Sequence, residues 1–169
     1  SITAKDTVLS KKVLKGIVKD IEIALNKQFV EKRGEEFRLR MSNIGRPYCQ
    51  LWFQKNKPDK KVESPKRILN FMLGDIVEAV FKGLLRQAGI AFEDSKKVSV
   101  PLTIDTSIEG TYDIIMDDAV DDIKSASDWS YRNKFESFDT LAKEDAFGYV
   151  PQLAGYALAL NKKAGGWWV

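Results

Sequence analysis

Residues 112–127, YDIIMDDAVDDIKSAS, set two β-branched and apolar runs on either side of Asp117-Asp118, and five aspartates fall within positions 113–122. The stretch reads as two strands joined by a tight turn. It constrains the fold strongly because side chains alternate between the faces of a strand. If Asp117 and Asp118 are the two turn residues, Met116 faces Ala119, Ile115 faces Val120, and Asp113 stands opposite Asp122. A four-residue turn over 117–120 pairs Asp113 with Lys124 instead. In either register, parity keeps Asp113, Asp122 and Lys124 on one face. Opposed like charges destabilise a strand pair, so the unliganded carboxylates are expected to cost stability. Two carboxylates on adjacent strands with a lysine beyond the second suit a hard cation, Mg2+ or Mn2+, with an ammonium beside it. Asp117 and Asp118 fit the turn itself and Asp121 points to the other face. All three are expected to be solvated.

Periodicity places the remaining elements. Val13, Leu14, Ile17, Val18, Ile21, Leu25 and Phe29 form one apolar stripe, predicting an amphipathic helix within 7–32 that ends at Gly34. Gly45 and Pro47 mark a turn before a short apolar and aromatic helix. A second long helix over 67–90 carries a broad apolar face that includes Leu69, Leu73, Val80 and Leu84, and terminates at Gly89. Three consecutive strands follow, the last two being the hairpin. Next come a short helix capped by Asp128, a helix with Pro151 at its first position and Gly165 and Gly166 at its stop, and a last strand over 167–169. The expected architecture is α/β, with one domain over 1–169 in which residues 1–40 form a helical extension packed on the core.

Composition narrows the chemistry. The 169 residues contain no histidine and one cysteine, Cys49. This excludes Ser-His-Asp and Cys-His catalysis, His-containing zinc sites and any four-cysteine metal site built from this chain alone. Cys49 is expected to be a small buried apolar residue. With 44% hydrophobic and 30% charged residues, and no run approaching the roughly 18–20 apolar residues of a membrane span, the chain reads as soluble. Its N-terminus lacks the apolar core of a secretory signal, so a cytoplasmic location without membrane contact is expected. The net charge is +3, but residues 55–67 hold six of the 27 Lys and Arg. They read either as a solvated loop or as a basic flap over a nucleic-acid backbone. Trp52 and Phe53 are expected in the core rather than as stacking surfaces.

GTYDIIMDDAVDDIKSAS resembles the core of the PD-(D/E)XK nuclease superfamily, with Asp113 on one strand and Asp122, Ile123 and Lys124 on the next. PQLAGYALAL resembles the Gln-x-x-x-Tyr helix of its RecB-like exonuclease branch through Gln152 and Tyr156. LGDIVEAV resembles that branch's Gly-then-Glu helix through Gly74 and Glu78. SNIGRPYCQLWF is similar to the segment that carries the first iron–sulfur cysteine in CRISPR-associated relatives. The other three cysteines are absent, so no cluster is expected, and Val77 stands where many relatives have a metal-binding histidine.

The resemblance spans about residues 42–169. It implies a restriction-endonuclease-like core, a central mixed sheet flanked by helices in the order α-βββ-α-β. It also implies a DNA exonuclease, bacterial or phage-encoded, active inside the host cell in repair, recombination or viral DNA processing. One or two Mg2+ or Mn2+ ions would be held by Glu78, Asp113, Asp122 and the main-chain carbonyl of Ile123, with no haem or nucleotide cofactor. Lys124 would orient or deprotonate the attacking water, Gln152 would hold Lys124 or that water, and Tyr156 would donate to a phosphate or stack on a base. Ser42, Arg46, Lys55, Lys57, Lys60 and Lys61 are the expected DNA-backbone contacts. An endonuclease on the same core, a non-catalytic DNA-binding module and a metal-free carboxylate enzyme such as a glycosidase are the alternatives.

Overall fold

A computed structural model describes residues 8–30, 37–57, 64–143 and 145–169. The chain divides into two compact units, one formed by Ser1–Gly34 with Glu63–Ala91 and the other by Glu35–Val62 with Phe92–Val169. Gly34, the expected end of the first helix, lies outside the described residues, as do Lys60 and Lys61.

In the first unit α1 (Lys11–Leu25) packs on α3 (Pro65–Gln87). Each begins at a serine, Ser10 or Ser64, whose hydroxyl accepts a backbone N–H from the first turn, and Pro65 fits the first helical position of α3. The helices approach closely at Gly83, where a Cβ would lie 2.3 Å from Ile17 Cγ1. Arg86 pairs with Asp20 at 2.6 Å. The buried part of α3 is narrower than its apolar pattern predicts: Ala79, Lys82, Gly83 and Leu85 are buried, whereas Leu69, Leu73, Val80 and Leu84 are exposed. The surface against α1 is centred on Gly83, about 100° around the helix from Leu84. No described helix is long and apolar enough to cross a membrane.

The second unit is mixed α/β. A 3-10 turn (Met41–Asn43) and α2 (Tyr48–Asn56) precede β1 (Glu93–Asp94), β2 (Lys97–Pro101), β3 (Ser107–Thr111), β4 (Ile114–Met116) and β5 (Ala119–Ile123). Then come α4 (Asp128–Ser130), α5 (Phe138–Lys143), α6 (Tyr149–Leu160) and β6 (Lys163–Trp168). One sheet has the order β1-β4-β5-β6, antiparallel except for the parallel β5–β6 pair, and β2 with β3 forms a separate antiparallel pair. The predicted middle strand is therefore interrupted at Tyr112-Asp113, and its two halves pair in different sheets.

Asp117 and Asp118 are the turn, both left-handed at φ 48° and 64°, as a two-residue type I′ hairpin requires. The register is Met116 with Ala119, Ile115 with Val120 and Ile114 with Asp121. Ile115 and Val120 face a core of Met41, Tyr112, Leu153 and Tyr156, which brings α6 over that face of the hairpin.

Several boundaries differ from the sequence reading. Ser127, rather than Asp128, caps α4, accepting the Ser130 N–H. Asp145 starts α6 by accepting the N–H groups of Tyr149 and Val150, each at 2.8 Å, and Pro151 is its third residue. The helix ends at Asn161, left-handed at φ 51°, so Gly165 and Gly166 belong to the last strand.

The glycines serve a bulge. Val120 pairs with Ala164, yet Asp122 pairs with Trp167, leaving an extra residue on β6. Asp121 Oδ1 accepts the Gly166 N–H at 2.7 Å, and a Cβ on Gly165 would lie 2.0 Å from the same oxygen. Asp121 is buried, so the expectation that it is merely solvated is corrected. It supplies the acceptor at the point where the ladder breaks. Asp121→Ala should lower stability to urea by about 1–3 kcal/mol, and Asp121→Asn, which keeps an acceptor oxygen, should cost clearly less. Equal losses would mean that the Gly166 bond is not what Asp121 contributes.

Candidate functional site

The hairpin register extends one step past the ladder to set Asp113 opposite Asp122. Asp113 shares the core-facing side of the sheet with Ile115, and Asp122 shares it with Val120. Asp113 is half-buried and Asp122 is buried. Lys124 follows β5, where its N–H donates to the Trp168 carbonyl at 2.8 Å.

Charge on this face is compensated by groups of the protein itself. Lys124 Nζ is ion-paired with Asp122 Oδ2, and Asp113 Oδ2 accepts the Ile123 N–H at 2.8 Å. Away from this face, Asp118 pairs with Lys162 at 2.8 Å, which corrects its assignment as a simply solvated turn residue. Each of the two carboxylates thus has one partner from the chain, an ammonium for Asp122 and a backbone N–H for Asp113. Burial disfavours the Lys124 ammonium, but the carboxylates of Asp122 and Asp113 outweigh it and raise its pKa above the ordinary lysine value.

Gln152 and Tyr156 lie one turn apart on α6, and the Gln152 side chain acts to lower the Tyr156 pKa against the larger effect of burial. Tyr156 is 3% exposed and packs in the core, so its ring offers no face to a base and the stacking role is corrected. Its hydroxyl lies near Gln152 and the Thr111 backbone, both of which favour the ionised form less than burial disfavours it.

Tyr149 and Asp145 were missed by the sequence reading. Lys124 Nζ lies 5.6 Å from the Tyr149 ring centroid. Burial raises the Tyr149 pKa, with the positive charges of Lys124 and Arg46 pulling the other way. Arg46 is brought there because Gly45 abuts Gly148: a Cβ on Gly45 would lie 2.5 Å from Gly148 Cα. The signal in sequence was the left-handed-capable Gly148 just before Tyr149, but its contact is with a residue about a hundred positions earlier.

Ser42, Lys55 and Lys57 are exposed. Cys49 is exposed as well, and Trp52 and Phe53 are 42% and 53% exposed, so the core reading of all three is corrected. They lie on a nine-residue helix with no buried residue. Glu78 lies on α3 in the first unit, its carboxylate 2.6 Å from Lys82 Nζ.

Among the described residues no group of three or more acidic, cysteine or histidine side chains gathers as a metal site. In the second unit, Asp113 and Asp122 both act on Lys124. This all-oxygen pair fits a hard divalent ion as two ligands and leaves the rest of the coordination to water or phosphate.

The Tyr156 hydroxyl gives the site a pH signature. Burial raises it from 10.0 to about 12. An unfolded chain loses this proton near pH 10 while the folded chain keeps it. The contribution is therefore complete below pH 10 and is lost as pH rises through about 12, amounting to about 2–3 kcal/mol. Tyr156→Phe should flatten the fall in unfolding free energy across this window, and an unchanged slope would rule out a buried, neutral Tyr156. Comparison with protein-family models, curated proteins and solved structures finds no match for this chain.

Proposed function

We propose that this protein is a Mg2+- or Mn2+-dependent deoxyribonuclease of the restriction-endonuclease-like, RecB-like type, acting as an exonuclease. The observation that carries the reading is the arrangement of Asp113, Asp122 and Lys124: two carboxylates from adjacent strands, both acting on one raised-pKa ammonium. It supports the reading because hydrolysis of a phosphodiester needs anionic ligands for a divalent ion and a cation near the reacting phosphate.

Asp113 and Asp122 would hold the ion, which when bound supplies positive charge against the phosphate and makes water more acidic. The Ile123 N–H fixes the Asp113 carboxylate through Oδ2. Lys124, tied to Asp122 through Oδ2, would orient or deprotonate the attacking water: the two carboxylates raise its pKa, and an ion bound to them would lower it. Gln152, one turn from Tyr156 on α6, would hold Lys124 or the attacking water. Arg46, beside Tyr149, provides a second cation for the nucleic-acid backbone.

The ion pair of Lys124 with Asp122 also favours a second reading, a nucleic-acid-binding module without catalysis, because one of the two carboxylates already has a cation of the chain as its partner. Digestion of end-labelled linear and covalently closed circular DNA, single- and double-stranded, separates the two. Linear DNA should be lost with Mg2+ or Mn2+ and spared with chelator, and Lys124→Ala should reduce the rate by roughly 100-fold or more. Cutting of circles would make the enzyme an endonuclease, activity in chelator would sink the metal, and no cutting at all would leave the binding module. The ion should also raise the melting temperature of wild type, an increment that Asp122→Asn should lose.

A further inference from the structure

The cleavage chemistry uses little of residues 37–57. This stretch carries Arg38, Arg40, Arg46, Lys55 and Lys57 and not one acidic residue. Within it α2 exposes large aromatic side chains: Tyr48 is 81% exposed, Trp52 42% and Phe53 53%. Tyr48 and Trp52 are four residues apart, hence one above the other on one side of the helix, and Lys55 continues the same side one turn on. Phe53 meets Trp52 edge-on, with centroids 5.2 Å apart and planes at 90°, which steadies the Trp52 ring.

We propose that α2, with Arg46 just before it, forms a track for single-stranded nucleic acid that leads toward Asp113 and Asp122. Flat, solvent-facing rings interleaved with cations and free of carboxylates match a strand with unstacked bases on a polyanionic backbone. A duplex keeps its bases stacked on one another and offers such rings no faces. An apolar protein partner would leave Arg46, Lys55 and Lys57 unanswered, whereas Arg38 and Arg40 already act on the Glu109 carboxylate.

The track also points somewhere. The contact of Gly45 with Gly148 sets Arg46 beside Tyr149, whose ring centroid is 5.6 Å from Lys124 Nζ. Arg46 Nε is buried and has no hydrogen-bond acceptor among the described residues, so its guanidinium is not committed there to a protein carboxylate. A strand stacked on Tyr48 and Trp52 would pass Arg46 before it reached Lys124. The inference deepens the nuclease reading by naming its substrate as single-stranded, and rests on that reading only for where the strand leads.

Binding measured without cleavage separates the two. In chelator, anisotropy of labelled oligothymidylate, oligouridylate and a duplex of the same length should show a single strand bound more tightly than the duplex. The stronger of the two single strands identifies the sugar. Tyr48→Ala with Trp52→Ala should weaken that binding by roughly tenfold or more, Trp52→Phe should retain most of it, and Lys55→Ala with Lys57→Ala should make affinity less dependent on salt. These side chains are exposed, so the variants should melt with wild type. Duplex bound as tightly as single strand, or undiminished single-strand binding by the double alanine variant, would overturn the track whatever the outcome of the digestion assay. Single-strand binding without cleavage would keep the track and remove the nuclease.

Discussion

Two consecutive aspartates held at positive φ decide what the second unit can be. Left-handed backbone at both Asp117 and Asp118 closes a hairpin whose twist matches that of its strands. The register this imposes leaves no freedom in which side chains share a face. Ile115 and Val120 go to the core, α6 covers them, and Asp113 and Asp122 are carried to the end of the same face. A one-residue slip of β5 against β4 would turn Asp122 away from α6 and bring Asp121 and Ile123 beneath it, while Asp113 stayed where it is. Asp is an unusual choice for such strained positions, but its short polar side chain tolerates them, and Asp118 also gains Lys162 as a partner.

The charge crowded on this hairpin is answered by several kinds of group at once: an ammonium for Asp122, a backbone N–H for Asp113 and for Asp121, and a lysine from the end of the α6 crossover for Asp118. Each aspartate solves a different local problem. Asp117 and Asp118 make the turn, Asp121 repairs a ladder, and Asp113 and Asp122 hold a cation of the chain itself. The density of acid in the sequence is therefore the sum of separate requirements that meet in ten residues. The raised pKa of Lys124 follows from the same packing.

The hairpin was legible because its signals are local: turn residues, alternating apolar positions and parity. The helices were legible as periodic runs. Parts that depend on distant partners were not. Nothing near Asp121 announces Gly166, and nothing near Gly148 announces Gly45. The caps did not follow this rule: Ser10, Ser64 and Ser127 stand next to the helices they start and were not singled out, and Asp145 reaches past three residues to start α6. Trp52 and Phe53 were misplaced because apolar character alone does not say whether a short helix has anything to pack against. At the site, Asp113 and Asp122 both act on Lys124, and Gln152 and Tyr156 lie one turn apart on α6, while burial gives Tyr156 a different occupation.

The bulge between β5 and β6 has a consequence for the end of the chain. Ala164 and Trp167 are an odd number of residues apart and would face opposite sides of a regular strand, yet they pair with Val120 and Asp122, which face the same side. The two glycines therefore act as a phase shifter. They decide that Trp167, and not Trp168, joins the core packing beside Val120. The Gly-Gly pair and Asp121 consequently form one heritable unit: a regular ladder that kept both glycines would exchange the two tryptophans, whereas loss of one glycine would leave Trp167 opposite Asp122 and leave Asp121 no extra residue to accommodate.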